Sequence, residues 1–288
     1  MTIDNMRGIG WALVAAAMFA FTAALAKVAI EDYHVLQILF FRQLVVLISS
    51  LPAIAPTFPD SLKTPHIKAH AIRLSGAFVA LSCSIWAVAV LPLTTATTLA
   101  FAQVFFVALL AMWFLNEPVG KVRITAIVIG FIGVVIVMRP GTEGLFNSYA
   151  LIPLAGALGA AIAIVSVRRL SQVETTATLL TYQAIFVGLL AGLPLIWLWR
   201  TPDLMGLLLL LSMGVLAAVG QWVGIRALRL GEVSVIGNIE YTKLIYAAIL
   251  GYVLFQEIPD IYTIAGAAII VVSAIYIFHR ETLHKKTN

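Results

Sequence analysis

Charge is what this chain has least of. Asp, Glu, Lys and Arg make up 11% of its 288 residues, where a soluble domain carries roughly 25%. That leaves too few polar side chains to cover a water-facing surface, so a soluble globular fold is excluded and lipid is the main solvent. A single cysteine, Cys83, excludes an intramolecular disulfide and a cysteine-built metal site. The five histidines make no HExxH or similar spacing, so no metal site is expected. There is no GxxxxGK[ST] loop for direct ATP drive and no GxSxG motif, which argues against an intramembrane enzyme. The formal charge of +5 is spread over short segments between apolar runs. Such a spread suits anionic lipid headgroups better than nucleic acid.

What the chain does have is long apolar runs. Hydrophobic residues make up 62% of it, and the mean hydropathy is +1.04. About 20 apolar residues in a helix cross the hydrocarbon core. Ten such runs are found, over 8–29, 35–55, 71–91, 95–115, 122–139, 150–168, 175–198, 206–228, 233–254 and 260–279. The runs are continuously apolar rather than alternating, so a β-barrel is excluded and an all-α membrane protein of ten transmembrane helices is expected. The first run follows Arg7 without a small-residue cleavage site and reads as a retained span. Of the 18 Lys and Arg residues, Lys27, Arg42, Arg139 and Arg200 fall on one side and Lys243 within a span. All the others fall on the opposite side, which by the positive-inside bias places both termini in the cytoplasm.

The halves resemble each other at a spacing of about 140 residues, which divides the chain into 1–143 and 144–288. Asn116-Glu117-Pro118 ends one span, and Gln256-Glu257-Ile258-Pro259 ends its counterpart. Phe101, Gln103 and Phe106 match Tyr241, Lys243 and Tyr246, and Arg42 matches Gln183. Five spans per half is odd, so the second half enters the membrane inverted. Inverted repeats around a midplane site are a device of secondary transporters.

These residues, in this order, resemble the drug/metabolite transporter superfamily and, within it, the EamA-type ten-helix carriers. The resemblance rests on Arg42, Asn116-Glu117-Pro118, Gly130-Phe131-Ile132-Gly133-Val134 and Arg139-Pro140-Gly141. In the second half it rests on Tyr241-Thr242, Gly251, Phe255-Gln256-Glu257-Ile258-Pro259-Asp260, Gly266 and Arg280-Glu281. It implies a helical bundle around a central cavity, no cofactor, a bacterial inner-membrane location and a small-molecule substrate moved by alternating access. The second half is nearest to the branch of S-adenosylmethionine and riboflavin carriers. Substrate, direction, coupling ion and assembly stay open, with a homodimer among the options. A non-saturating channel and a structural bundle are the rival readings.

Ionisable groups at bilayer depth are functional candidates. Glu240 and Lys243, spaced i,i+3, share a helix face near the midplane and either neutralise each other or line the cavity. Lys243 is favoured as an anion contact, and Glu240 is the candidate for proton coupling. Gln103 occupies the matching position in the fourth span. Arg42 either snorkels outward or faces the cavity, and Lys27 is expected to snorkel at its helix end. Trp86, Phe101, Phe105, Tyr182, Trp222, Tyr241 and Tyr246 are placed to stack a planar substrate or to pack. Gly188/Gly192 and Gly220/Gly224 are expected at close helix crossings. Glu117 and Glu257 brace the helix junctions or gate them.

Overall fold

The computed structural model describes residues 5–59, 63–114, 121–138, 148–170, 173–174, 176–230 and 239–287, and among them there is no strand. The first helices are α1 (Asn5–Ala29), α2 (Val35–Ile54) and α3 (Ile67–Val90). Then come α4 (Leu93–Ala100), α5 (Gln103–Phe114) and α6 (Lys121–Met138). The second half opens with α7 (Leu151–Leu170) and a broken helix made of α8 (Thr176–Tyr182), a π turn over Gln183–Val187, α9 (Gly188–Gly192) and α10 (Leu195–Leu198). It closes with α11 (Leu204–Leu230), α12 (Thr242–Phe255) and α13 (Ile261–Thr287).

Within the described residues each apolar run becomes helix, but three runs expected to be continuous are not. The run over 95–115 breaks at Phe101–Ala102, the run over 175–198 splits around the π turn, and α12 starts only at Thr242. Among the described residues, five helical stretches are long and apolar enough to cross a membrane: Met6–Ala29, Ile67–Val90, Leu93–Phe114, Ser148–Val167 and Leu204–Ala227. Shorter apolar helices occupy Val35–Ser49, Ile124–Met138, Thr242–Phe255 and Ile261–Tyr276. The outside of the bundle is apolar, with Trp197, Leu204, Ile245 and Val272 among its exposed side chains. Such a surface is stable only against lipid.

Packing between the halves is reciprocal. α1 lies on α11 and α12, while α3 and α5 lie on α7; α6 pairs with α13, and α4 meets α12. Glycine sets the closest crossings. A Cβ on Gly76 would come within 2.7 Å of the Gly159 carbonyl oxygen, and one on Gly159 would come equally close to that of Gly76, so α3 and α7 touch backbone to backbone. Gly133 and Gly266 do the same for α6 and α13. The expected small-residue motifs also lie at crossings, Gly220 and Gly224 against Met18 and Ala15, Gly188 and Gly192 against Gln43 and Phe40.

Helix starts are capped by side chains that reach the otherwise orphaned N–H groups. Asp203 Oδ1 accepts from the Gly206 N–H at 2.8 Å, and Asp260 Oδ1 from the Thr263 N–H at 2.7 Å. A clasp joins the α1–α2 turn and the first turn of α2 to the segment before α11. There the Gln37 amide exchanges hydrogen bonds with the Arg200 backbone, and the Arg200 guanidinium donates to the Asp32 carbonyl. In that clasp burial, then the carboxylates of Asp203 and Asp32, push the Tyr33 hydroxyl up from its usual value, and it stays a donor.

Candidate functional site

Two helices lose their regular hydrogen bonding at matching places. At the α4–α5 junction the Phe101 and Ala102 N–H groups donate to Thr98 and Leu99, and at the start of α12 the Lys243 and Leu244 N–H groups donate to Glu240 and Tyr241. These are bonds to the residue three back, the tighter 3₁₀ pattern that marks hinges when it falls inside a helix. The two breaks face each other: the rings of Phe101 and Tyr241 are 5.0 Å apart between centroids. Interrupted helices meeting this way are how membrane carriers bring backbone and polar side chains to a central site without exposing them to lipid.

Lys243 stands two residues beyond the second break, as Gln103 stands beyond the first. Its Nζ lies 3.2 Å from Glu240 Oε2 and 5.0 Å over the ring of Phe19 on α1. Phe19 is eight residues from both Trp11 and Lys27, so Lys243 sits halfway along α1, about 12 Å from either residue at ~1.5 Å per residue. The Lys243 side chain is 22% exposed and that of Glu240 53%. A carboxylate this open, halfway along a helix of an apolar bundle, has to face water, since lipid would cost several kcal/mol. Gln103 is half-buried and makes no side-chain hydrogen bond among the described residues. Tyr246 is half-buried against the core.

At the C-terminal end of α1 lies a different arrangement. Lys27 is not snorkelling. Its ammonium pairs with Glu257 Oε1, donates to the Leu91 carbonyl at 3.0 Å and stands 5.3 Å from the Phe255 ring centroid. Glu257 Oε2 accepts from the Leu93 N–H at 2.8 Å, which caps α4. The local chain geometry makes this possible. Gln256 adopts a left-handed φ of 55°, and the Gln256 and Glu257 N–H groups donate back to Tyr252 and Gly251, so α12 ends abruptly and turns the Glu257 side chain inward. The expectation that Glu257 braces a junction thus acquires its partners, and the latch ties α1 and the α3–α4 junction to α12. Glu117, its counterpart, lies outside the described residues.

The remaining candidates lie apart from Lys243. Tyr182 is buried and stacks on His70 at 4.3 Å and on Phe186 at 5.1 Å, which commits its faces to packing. Beside it Arg73 donates to the Leu179 carbonyl at 3.0 Å and to Gln183 Oε1 at 2.9 Å, bracing the start of the π turn. Arg42 does not reach the Lys243 pair, and its buried Nε has no partner. Trp86 is half exposed on the outer face of α3 and stacks on no other ring. Phe105 is fully buried against Phe131. Phe19 and Lys27 went unrecognised as site residues in the sequence. An isolated Phe in an apolar helix carries no signal, whereas Lys27, a cation at a span end, carries one, because Glu257 also lies at a span end. Among the described residues no group of three His, Cys, Asp or Glu could hold a metal ion.

Comparison with known proteins places this geometry in a family. The model of the EamA-like transporter family matches residues 6–139 and 147–279. An S-adenosylmethionine uptake transporter of Rickettsia bellii is 27% identical over 274 residues, 95% of this chain and 94% of its own. The pseudopaline exporter CntI of Pseudomonas aeruginosa is 29% identical over 280 residues, covering 96% and 97%. A riboflavin transporter of Vibrio cholerae is 27% identical over 287 residues, covering 96% and 94%. One crystal structure, 17% identical, superposes with a TM-score of 0.64 over 94% of this chain and 96% of that one, a likeness of fold alone.

Proposed function

The chain belongs to the EamA-like transporter family and is a membrane transporter of small metabolites, not an enzyme; from that premise we propose that it works by alternating access around Lys243. In this reading it has ten spans in two inverted halves, 1–143 and 144–288, with both termini cytoplasmic in a bacterial inner membrane. The carrying observation is the pair of matched helix breaks, with Lys243 beside one of them and halfway along α1.

Lys243 takes an anionic group of the solute, and Glu240 is the counter-charge it leaves on binding. Phe19, Phe101 and Tyr241 supply the apolar wall for a flat portion of the same molecule, and Gln103 and Tyr246 add polar reach. A solute with a planar ring and a carboxylate or similar anion satisfies this wall. S-adenosylmethionine, named for one relative, carries both and is the first to test; riboflavin, named for another, has the planar ring without the anion and tests whether the anion is needed. Proton exchange at Glu240 requires its pair with Lys243 to open first, so protons and solute would compete for one event. The Lys27–Glu257 latch closes the outer end while the open Glu240 carboxylate faces water from the cytoplasmic end. In this reading the conformation is the inward-facing one.

The test is counterflow in liposomes, with labelled S-adenosylmethionine, riboflavin, amino acids and nucleosides. Saturable exchange of one class by the wild-type protein, lost in Lys243→Ala at unchanged expression, is expected. Transport by Lys243→Ala equal to wild type removes Lys243 from the site.

A further inference from the structure

The N-terminal end of α1 holds a group that the transport site does not use. Arg226, near the end of α11, is exposed, and its guanidinium carbon lies 4.7 Å from the ring centroid of Trp11 on α1 and 5.5 Å from that of Trp222 one turn back. Among the described residues it makes no hydrogen bond and no ion pair. A guanidinium held by aromatic faces keeps its N–H groups in the plane, where they point away from the rings. Two indoles therefore immobilise the cation while its hydrogen-bonding edge stays free. The surroundings are apolar: Trp222 is 60% exposed on the outer surface, and Ala12 and Ala227 pack beneath, flanked by Trp11 and Ile239.

A fixed cation with a free donor edge, at the end of a membrane helix and with no carboxylate partner among the described residues, calls for an oxyanion from the bilayer. We propose that Arg226, braced by Trp11 and Trp222, binds the phosphate of an anionic phospholipid at the α1–α11 seam. The guanidinium fork matches two phosphate oxygens. The exposed indole face of Trp222 is placed against the glycerol and upper acyl region, where Trp is enriched. The seam joins the first half to the second, and Ile239, which packs at its base, precedes Glu240. A lipid bound there would grip both halves beside the helix break that carries Lys243.

Native mass spectrometry of the full-length protein tests this, with phosphatidylglycerol, phosphatidylcholine and inorganic phosphate as probes. Phosphatidylglycerol should bind the wild-type protein about fivefold more tightly than phosphatidylcholine, as one basic contact near a membrane surface provides. Arg226→Gln should erase that preference, and Trp222→Leu should weaken it about threefold by removing one brace. Arg200→Gln, at an exposed arginine already engaged by Asp32, should change nothing. Wild-type protein without a preference for phosphatidylglycerol overturns the proposal before any variant is made. So does Arg226→Gln binding like wild type, or Arg200→Gln losing as much, which would reduce the effect to net charge. Displacement of the lipid by millimolar inorganic phosphate would assign the site to a soluble anion and equally defeat the lipid reading.

Discussion

Two lysine–glutamate pairs sit about 12 Å apart along α1, and their surroundings give them opposite characters. Lys27 and Glu257 are 17% and 18% exposed, come from opposite halves and also hold a carbonyl, an N–H and an aromatic face. Lys243 and Glu240 lie three residues apart on one chain segment, and Glu240 is 53% exposed. A mostly buried pair hydrogen-bonded at both ends is expensive to break from one side, because the remaining charge is stranded. A wet, local pair costs little to open because water takes over. The first arrangement suits a latch that holds two halves together. The second suits a binding group that must exchange its partner for a solute in every cycle.

The largest expected effect comes from stranding one latch charge. Glu257→Gln or Lys27→Met should destabilise the protein by about 3–5 kcal/mol, read by thermal unfolding in detergent. If neither moves the transition, the pair is not dry. The double variant Lys27→Met/Glu257→Gln sharpens the comparison, since no charge is left stranded. It should recover most of the single-variant loss while leaving the outer end unlocked. Packing sets the next scale: Gly76→Val drives a side chain into the Gly159 backbone and should cost about 1–3 kcal/mol. The smallest effect on stability is expected at the wet pair, where Glu240→Gln should cost under about 1 kcal/mol. At roughly 1 M salt, where the screening length is ~3 Å, that small difference should vanish while the latch variants keep theirs.

How far these pairs were legible in the sequence follows from the same contrast. The i,i+3 spacing of Glu240 and Lys243 is a local fact, and the tight turn that opens α12 realises it directly. The membrane class was equally open to reading, because a chain with so little charge has no alternative solvent. The latch was not, since Lys27 and Glu257 are 230 residues apart and the partner choice depends on how α1, α4 and α12 pack. The break at Phe101–Ala102 was hidden for another reason. No Gly or Pro marks it, and tightening to a 3₁₀ pattern leaves the apolar run unchanged. Tyr182 has the composition of a stacking residue but is occupied by His70 and Phe186, a commitment made by tertiary contact alone.

The central claim, that the two ends close alternately about the Lys243 level, is tested most directly by solvent access to its middle. Gln103→Cys in a Cys83→Ser background would be exposed to a membrane-impermeant maleimide from either face of oriented vesicles. Labelling from the cytoplasmic face alone is predicted while Lys27 and Glu257 are intact, with labelling from the outer face appearing once both are replaced by Met and Gln. Labelling from the outer face with the latch intact would contradict the account.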